Sequence, residues 1–190
     1  MTDQLARFQP HARADWRSWL AAHSGESTGV WVVTFKRSTG KPSPTYDDIV
    51  EEALCFGWVD SKSKSLDAER TTVLLTPRKP GGGWSRTNKL RVEKLVAAGA
   101  MMPAGLAVVE AAKRDGSWSL LDSVEALEAP ADLLAALATS PAAAAAWEQF
   151  TPGAQKRILL WLVTARRAET RAARIAETVR LAADGKPAQS

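Results

Sequence analysis

Basic residues and glycines are concentrated in residues 77–94, which read PRKPGGGWSRTNKLRVEK. Residues 62–94 contain nine lysines and arginines against three acids, and this excess of six positive charges is larger than the net charge of +4 for the whole chain. A surface with such a charge attracts anions. The glycines at 81–83 precede a predicted helix, and glycine amides beside a helix N-terminus can approach an anion closely. The segment therefore predicts an anion-binding surface and indicates no reaction.

Two oppositely charged residues follow predicted strands. Asp60 follows the strand-like pair Trp58-Val59, and Arg78 follows a strand that ends at Pro77. If the two strands pair, Asp60 and Arg78 meet in a bidentate ion pair at one end of the sheet. That pair is either structural or the basis of an enzyme site, in which Asp60 acts as a base and Arg78 binds an oxyanion.

The residues after the glycines complete the predicted site. Trp84 borders the glycines and is expected to be an exposed ring that lines a concave surface, whereas Trp58 is expected to be buried. Ser85 is a good helix N-cap, and Asn88 lies one helical turn further on, so the two side chains share a face. The predicted ligand-binding residues are Trp58, Asp60, Arg78, Trp84, Ser85 and Asn88.

The sequence gives no sign of a metal site or of a catalytic nucleophile. The single cysteine, Cys55, excludes an intramolecular disulfide and a cysteine zinc cluster. The only histidines, His11 and His23, lack the spacing of a helical metal site. No pair of nucleophile and base is recognisable, so we predict binding without turnover, with no cofactor and no metal.

The elements that position these residues are short strands and helices. Thr45 opens a helix with a capping-box spacing to Asp48, Gly57 ends that helix, and Glu51 and Glu52 are expected on its solvated face. The sequence predicts strands at 30–36, from 58, and at 71–76, and helices at 12–22, 46–56, 86–98 and 103–112. The predicted class is α+β, with a small three-stranded sheet and helices in the N-terminal half and a helical C-terminal half.

The C-terminal half carries one long apolar stripe. From Ala154 to Val179, apolar residues recur in alternating steps of four and three. The stripe belongs to one helix or to two, and it is either a coiled-coil surface or, as we favour, a face that packs on its own domain. We expect residues 1–120 to form the α+β part, with residues 121–190 as a helical part packing on it in one composite domain.

The remaining composition places the protein in the cytoplasm. The first sixteen residues contain no apolar signal region, and no stretch approaches the roughly 20 apolar residues of a membrane span. Eight tryptophans are spread along the chain, and most are expected in the core.

Four segments carry a resemblance to a known family. They are EEALCFGWVD at 51–60, TPRKP at 76–80, WSRTN at 84–88 and ETRAARI at 169–175. In these segments the chain closely resembles the bacterial YdeI/OmpD-associated, or bacteriocin-protection, family. The resemblance implies an α+β part followed by a helical part, in a cytoplasmic protein linked by name to resistance against antimicrobial peptides. It implies no established catalytic activity, cofactor or site.

The family pattern also bears on two local interpretations. Relatives usually carry other residue types at 81–83, which favours an anion site built from Arg78 and the helix start rather than from glycines. Relatives often show a proline where this chain has Ala168, which implies two antiparallel helices that break near Arg167.

Two function classes follow. The first is a stress-protection protein whose Trp-lined basic pocket binds a small anion or an acidic peptide segment. The second is a nucleic-acid-binding protein that contacts phosphates through residues 62–94 and 166–180.

Overall fold

The chain divides into two compact units. The structure is a computed structural model that describes residues 5–25 and 28–189. Within these residues, the first unit runs to Gly82 and resumes from Thr87 to Trp118, and the second contains Gly83–Arg86 and the residues from Ser119 onward. The single composite domain expected from the sequence stays a prediction.

A four-stranded sheet forms the centre of the first unit. Its strands are β1 (Arg7–Phe8), β2 (Val30–Phe35), β3 (Trp58–Ser65) and β4 (Arg70–Pro77), in the order β1-β2-β4-β3. β1 runs parallel to β2, and the other neighbours are antiparallel. The predicted α+β class is confirmed, but the prediction of three strands is wrong. β1 was missed because two residues show no measurable alternation.

The central strands β2 and β4 are apolar on both faces. Trp31 lies opposite Leu74, and the neighbouring pair Val30 and Leu75 faces the other side of the sheet. All four side chains are buried. β-branched and large apolar residues suit such a pleated, buried surface, which explains why both strands were recognisable from the sequence.

Four helices accompany the sheet in the first unit. They are α1 (Arg13–His23), α2 (Tyr46–Cys55), α3 (Arg86–Ala97) and α4 (Pro103–Arg114), and a 3-10 turn (Arg37–Thr39) follows β2. The predicted capping box of α2 is confirmed, because the Thr45 side chain accepts from the Asp48 amide and Asp48 accepts from the Thr45 amide. Gly57 follows α2 with a φ of 77°, as its predicted terminating role requires.

An ionic network joins three of these helices around two buried carboxylates. Glu51 and Glu52 are buried, so the prediction that they form a solvated helix face is wrong. Arg13 Nε lies 2.6 Å from Glu52, Arg17 Nη1 lies 2.7 Å from Glu52, and Lys94 Nζ lies 2.8 Å from Glu51.

The neighbouring lysine and arginine keep the Glu51 carboxylate ionised. Burial by itself would raise the pKa of Glu51, but hydrogen bonds from Lys94 and Arg13 outweigh burial and lower that pKa below its ordinary value. The sequence did not indicate this burial, because Arg13 and Lys94 lie about 40 residues away from Glu51 in the chain.

Glu52→Gln should destabilise the protein by about 2 kcal/mol, because two arginines lose a charged acceptor but are exposed enough to recover part of their hydration. Urea unfolding measures the effect. The matched control is Glu93→Gln on the exposed face of α3, which should stay within about 0.5 kcal/mol of the parent. Equal stability of the two variants would contradict a structural role for the network.

The close approach of α4 to the end of α2 depends on a glycine. A Cβ atom added at Gly105 would lie 2.2 Å from the Cys55 carbonyl oxygen, which is backbone and cannot move aside. The same carbonyl accepts a hydrogen bond of 3.1 Å from the Met102 amide. Gly105 therefore sets the distance between the two helices.

Gly105→Ala should lower the melting temperature and destabilise the protein by about 3 kcal/mol, because the added methyl group overpacks this contact. Gly153→Ala is the control, since Gly153 also lies within a helix but has only a flexible arginine end near its Cβ position. That control should be neutral or stabilise by about 0.5 kcal/mol. A stable Gly105→Ala protein would show that the contact relaxes easily.

The second unit is helical, as predicted for the C-terminal half. Its helices are α5 (Asp122–Glu125), α6 (Ala131–Ala138), α7 (Pro141–Gln149), α8 (Pro152–Val163) and α9 (Ala168–Ala183). Trp147, Ile158 and Leu162 are among the buried residues of their shared core.

The apolar stripe spans two helices rather than one. α8 ends at Val163, and Arg167 is the N-cap of α9, so the break lies where the family pattern places it. Ile158 and Ile175 of the stripe are buried in the core of the second unit, whereas Ala168 and Ala172 are exposed. Most of the stripe's large residues thus pack within their own unit, as we favoured.

Candidate functional site

The six residues predicted to bind a ligand belong to two units. Trp58, Asp60, Arg78 and Asn88 lie in the first unit, and residues 84 and 85 lie in the second. The grouping of all six in one pocket stays a prediction. The first-unit members can be described together.

Trp58 is a core residue, and the expectation that it is buried is confirmed. Its side chain is 1% exposed. Its indole Nε1 donates to the Ser24 carbonyl over 3.3 Å, and its ring meets Trp19 of α1 edge-on, with 6.0 Å between the centroids. These contacts hold α1 against the start of β3.

Trp84 is buried as well, with 2% exposure, so the exposed ring expected from the sequence is not observed. The neighbouring Gly83 explains part of this packing. A Cβ atom at Gly83 would lie 2.7 Å from Leu121 Cγ, so the glycine allows close contact within the second unit. Ser85 precedes α3 and is half-buried, and its capping role stays a prediction.

The first two glycine amides already bind oxygen atoms of the chain. The Gly81 amide donates to Asp115 Oδ2 over 3.3 Å, and the Gly82 amide donates to the Lys79 carbonyl over 3.3 Å. A carboxylate of the protein thus occupies the place that an external anion would take at Gly81. The glycine cradle is not supported, in line with the family pattern at these positions.

Asp60 lies in a cluster of polar side chains at the start of α2. Tyr46 Oη donates to Asp60 Oδ2 over 2.6 Å. The Tyr46 ring is about half exposed, but partial burial of the hydroxyl raises the pKa of Tyr46 to about 12, and the hydrogen bond and negative charge of Asp60 add to the effect. Tyr46 is therefore a protonated hydrogen-bond donor throughout the physiological range.

Asn88 joins the cluster through α3. Its side chain is buried, and its Oδ1 accepts from Arg91 Nη1 over 3.0 Å. Arg91 also forms an ion pair with Asp47, which stands beside Tyr46 in the first turn of α2. We call the group the polar cluster; its members are Tyr46, Asp47, Asp60, Arg78, Asn88 and Arg91.

Arg78 is half-buried at the end of β4. Its amide donates to the Gly57 carbonyl over 3.0 Å, and its Nη1 donates to the Gly82 carbonyl over 3.4 Å. Burial lowers the pKa of Arg78 to about 10, and the nearby charge of Asp60 opposes this shift without cancelling it. The guanidinium remains charged at neutral pH, but it has lost much of its hydration.

The direct ion pair predicted between Asp60 and Arg78 is not among the ion pairs that the structure describes in the first unit. The Asp60 carboxylate binds the Tyr46 hydroxyl instead. A register shift in β3 between Asp60 and Lys62 accompanies this arrangement. The two charges interact at longer range, which is the part of the prediction that holds.

The positive charge of residues 62–94 is spread over several surfaces. Arg70 pairs with Asp67, and Lys94 pairs with Glu51. Lys62 and Lys64 are exposed on β3, far along the chain from the basic residues of α3. In the second unit, Arg171, Arg174 and Arg180 of α9 bind Asp132, the Trp161 carbonyl and Glu177. Nucleic-acid binding therefore stays a prediction, and these arginines already engage acceptors of their own unit.

Two further sequence expectations concern metal and membrane. Residues 5–25 and 28–189 contain no group of three or more histidine, cysteine or acidic residues that could hold a metal ion. In the same part of the chain, no helix combines the length and the apolar composition that a membrane crossing requires.

Sequence reasoning missed three members of the polar cluster. Asp47 and Arg91 are 44 residues apart, so no local spacing connects them. Tyr46 carried one signal, since it is the only tyrosine of the chain and directly follows the helix cap at Thr45. That signal gave no information about Asp60 as its partner.

Two family models match the chain, one within residues 8–108 and one within residues 126–185, and the gap between the matches contains the boundary between the two units at Ser119. Residues 8–108, more than half of the chain, match the family described as Domain of unknown function (DUF8412). The chain belongs to this family. In this DUF8412 protein, every member of the polar cluster lies within the matched residues.

A second family model matches the helical part. Residues 126–185 match the family described as Bacteriocin-protection, YdeI or OmpD-Associated, which confirms the resemblance found in the sequence. The segment at 169–175 lies inside this match, and the other three segments lie within residues 8–108. Searches of curated proteins and of solved structures of other proteins found no match.

Tyr46 should stay protonated at a pH of about 10, where a free tyrosine is half ionised. Because Tyr46 is the only tyrosine, the ultraviolet absorbance of phenolate reports on it alone. Asp60→Asn should lower the midpoint, although burial will keep it above the free value. A half-ionised Tyr46 at pH of about 10 in the folded parent protein would contradict the hydrogen bond and the burial.

Proposed function

We propose that this chain is a non-catalytic binding protein of the bacteriocin-protection type, which binds a small anion or an acidic peptide segment at the polar cluster. The observation that carries the proposal is the polar cluster itself, in which Asn88 and Arg91 of α3 lie beside the Tyr46–Asp60 hydrogen bond, with the half-buried guanidinium of Arg78 at the end of β4. Hydrogen bonds in which one partner is charged are the stronger ones, so guanidinium and amide donors grouped in this way favour an anionic ligand.

The surrounding residues would orient such a ligand. Asn88 is fixed by Arg91, and Arg91 is fixed by Asp47, so the amide and the second guanidinium have defined positions. Asp60 is held by Tyr46 and would bind a cationic or hydroxyl-bearing part of the ligand.

Turnover has less support than binding. A general base has to reach the proton that it abstracts, but Asp60 already accepts a hydrogen bond from a phenol whose pKa is about 12. Cys55 is buried, and burial raises the pKa of its thiol, so it is not a thiolate nucleophile. Binding without reaction is the simpler account of the cluster.

We infer a cytoplasmic location and a protective role from the composition and the second family match. A chain with one cysteine depends on no internal disulfide, which suits a reducing compartment. The printed description of the family that matches residues 126–185 is bacteriocin protection. Deleting the gene should then leave general growth unchanged and raise sensitivity to such peptides.

Arg78→Ala should bind inorganic phosphate or a tetraglutamate peptide at least tenfold more weakly than the parent, because one charge-assisted contact is lost. Isothermal titration calorimetry measures the affinities. The control is Lys79→Ala, which removes an exposed positive charge next to Arg78 and should change either affinity less than threefold. Arg78→Lys should recover part of the phosphate affinity.

An unchanged phosphate and peptide affinity in Arg78→Ala, together with a large drop in melting temperature, would make Arg78 a structural residue. The proposal would then be wrong. A parent protein that binds single-stranded DNA with a steep loss of affinity in salt, and neither small probe, would favour the nucleic-acid alternative.

A further inference from the structure

We propose that a cleft between the 3-10 turn Arg37–Thr39 and the start of α2 binds a small phosphorylated molecule with a planar part, of the nucleoside monophosphate class. The cleft has a volume of about 550 Å³ and is lined by the end of β2, the following loop and the first residues of α2. Volumes of roughly 300–1,000 Å³ are typical of small-molecule sites. The site lies entirely in the first unit and shares Tyr46 and Asp47 with the polar cluster, but its basic residues are different ones.

One wall of the cleft is basic. Lys36, Arg37 and Lys41 all line it. Lys36 Nζ donates to the Asp67 carbonyl over 2.6 Å, a contact with a neutral group that leaves its charge in place. Lys41 pairs with Glu69 over 2.6 Å, and both side chains are about half exposed. Arg37 is exposed and forms no ion pair within the described residues, so its guanidinium can bind a phosphate bidentately.

Neutral donors complete a phosphate subsite. Ser43 Oγ accepts from the Phe35 amide over 3.1 Å, which fixes the oxygen and leaves the hydroxyl hydrogen to donate. Residues 45–47, at the N-terminus of α2, also line the cleft. First-turn amides of a helix carry partial positive charge and favour a phosphate. The capping box already occupies the Thr45 and Asp48 amides, so this contribution is limited to the amides of Tyr46 and Asp47. The carboxylates of Asp47 and Asp48 oppose it, but they are paired with Arg91 and Arg13.

An aromatic surface stands beside the basic wall. Tyr46 is 47% exposed, although its hydroxyl is tied to Asp60 over 2.6 Å. An exposed ring that is fixed at its far end presents a rigid face to a planar group at little cost in conformational entropy. Pro44 and Phe35 extend the apolar wall, and Lys41 covers Phe35 at 5.1 Å. Tyr46 is therefore the ring left for stacking a nucleobase.

A nucleoside monophosphate fits the cleft better than its phosphate or its base would alone, because the cleft has one basic wall and one apolar wall. A phosphate alone would contact the basic wall and leave the apolar wall hydrated, and an uncharged aromatic molecule would leave the charges of Lys36 and Arg37 without a partner in the ligand. A nucleoside monophosphate engages both walls, and its size fits the cleft.

The test measures adenosine monophosphate binding to the 190-residue chain by calorimetry. Arg37→Ala should weaken binding at least tenfold, and because the side chain is exposed, the substitution should leave the melting temperature unchanged. Tyr46→Leu should weaken adenosine monophosphate more than inorganic phosphate. The control is Lys62→Ala, an exposed cation of β3 outside the cleft, which should bind as the parent does.

Three outcomes would overturn the proposal, and a fourth would support it. Failure of the parent protein to bind adenosine monophosphate at millimolar concentration excludes the class. Equal binding of phosphate and adenosine monophosphate shows that the planar part contributes nothing. Binding that survives Arg37→Ala but is lost in Arg78→Ala places the ligand at the polar cluster instead. Binding that survives Arg78→Ala and is lost in Arg37→Ala supports the cleft, whatever the fate of the anion site.

Discussion

The arrangement of the first unit depends on two carboxylates that are almost completely buried. Glu51 and Glu52 are adjacent on α2, and each needs a cation because an isolated buried charge is very costly. The cations come from α1 and from α3, so burying the carboxylates requires those helices to meet at α2. Arg17 also binds the Ala100 carbonyl, which carries the same constraint to the loop before α4.

The contacts of Glu51 and Glu52 with α1 and α3 also position the polar cluster. Tyr46 and Asp47 belong to the first turn of the helix that carries Glu51 one turn later, and Arg91 lies one turn before Lys94 on α3. Two sets of contacts between the same pair of helices therefore fix both their distance and their rotation. A site assembled at the ends of rigid helices holds its side chains more accurately than one built on loops. The cleft beside the 3-10 turn shares this support through Tyr46.

Local chemistry made much of this fold predictable. The cap at Thr45, the turn at Gly57 and the apolar runs of β2 and β4 are encoded within a few residues, and all appear as expected. Features that need distant partners were not predictable. Glu51 and Glu52 look solvated until Arg13 and Lys94 are brought beside them. Trp84 looked exposed because its sequence neighbours are glycines, and its burial depends on the fold.

The order of the sheet gives the lysines of β3 a role independent of any ligand. β3 is the outer strand, and its residues 61–65 are exposed, with Lys62 and Lys64 among them. An outer strand offers unpaired backbone groups to any other extended chain, and charged lysines there repel a second copy before its backbone can pair. β1, at the opposite edge of the sheet, is only two residues long, so it has few backbone groups with which another strand could pair. Both edges of the sheet thus carry features that disfavour pairing with another extended chain.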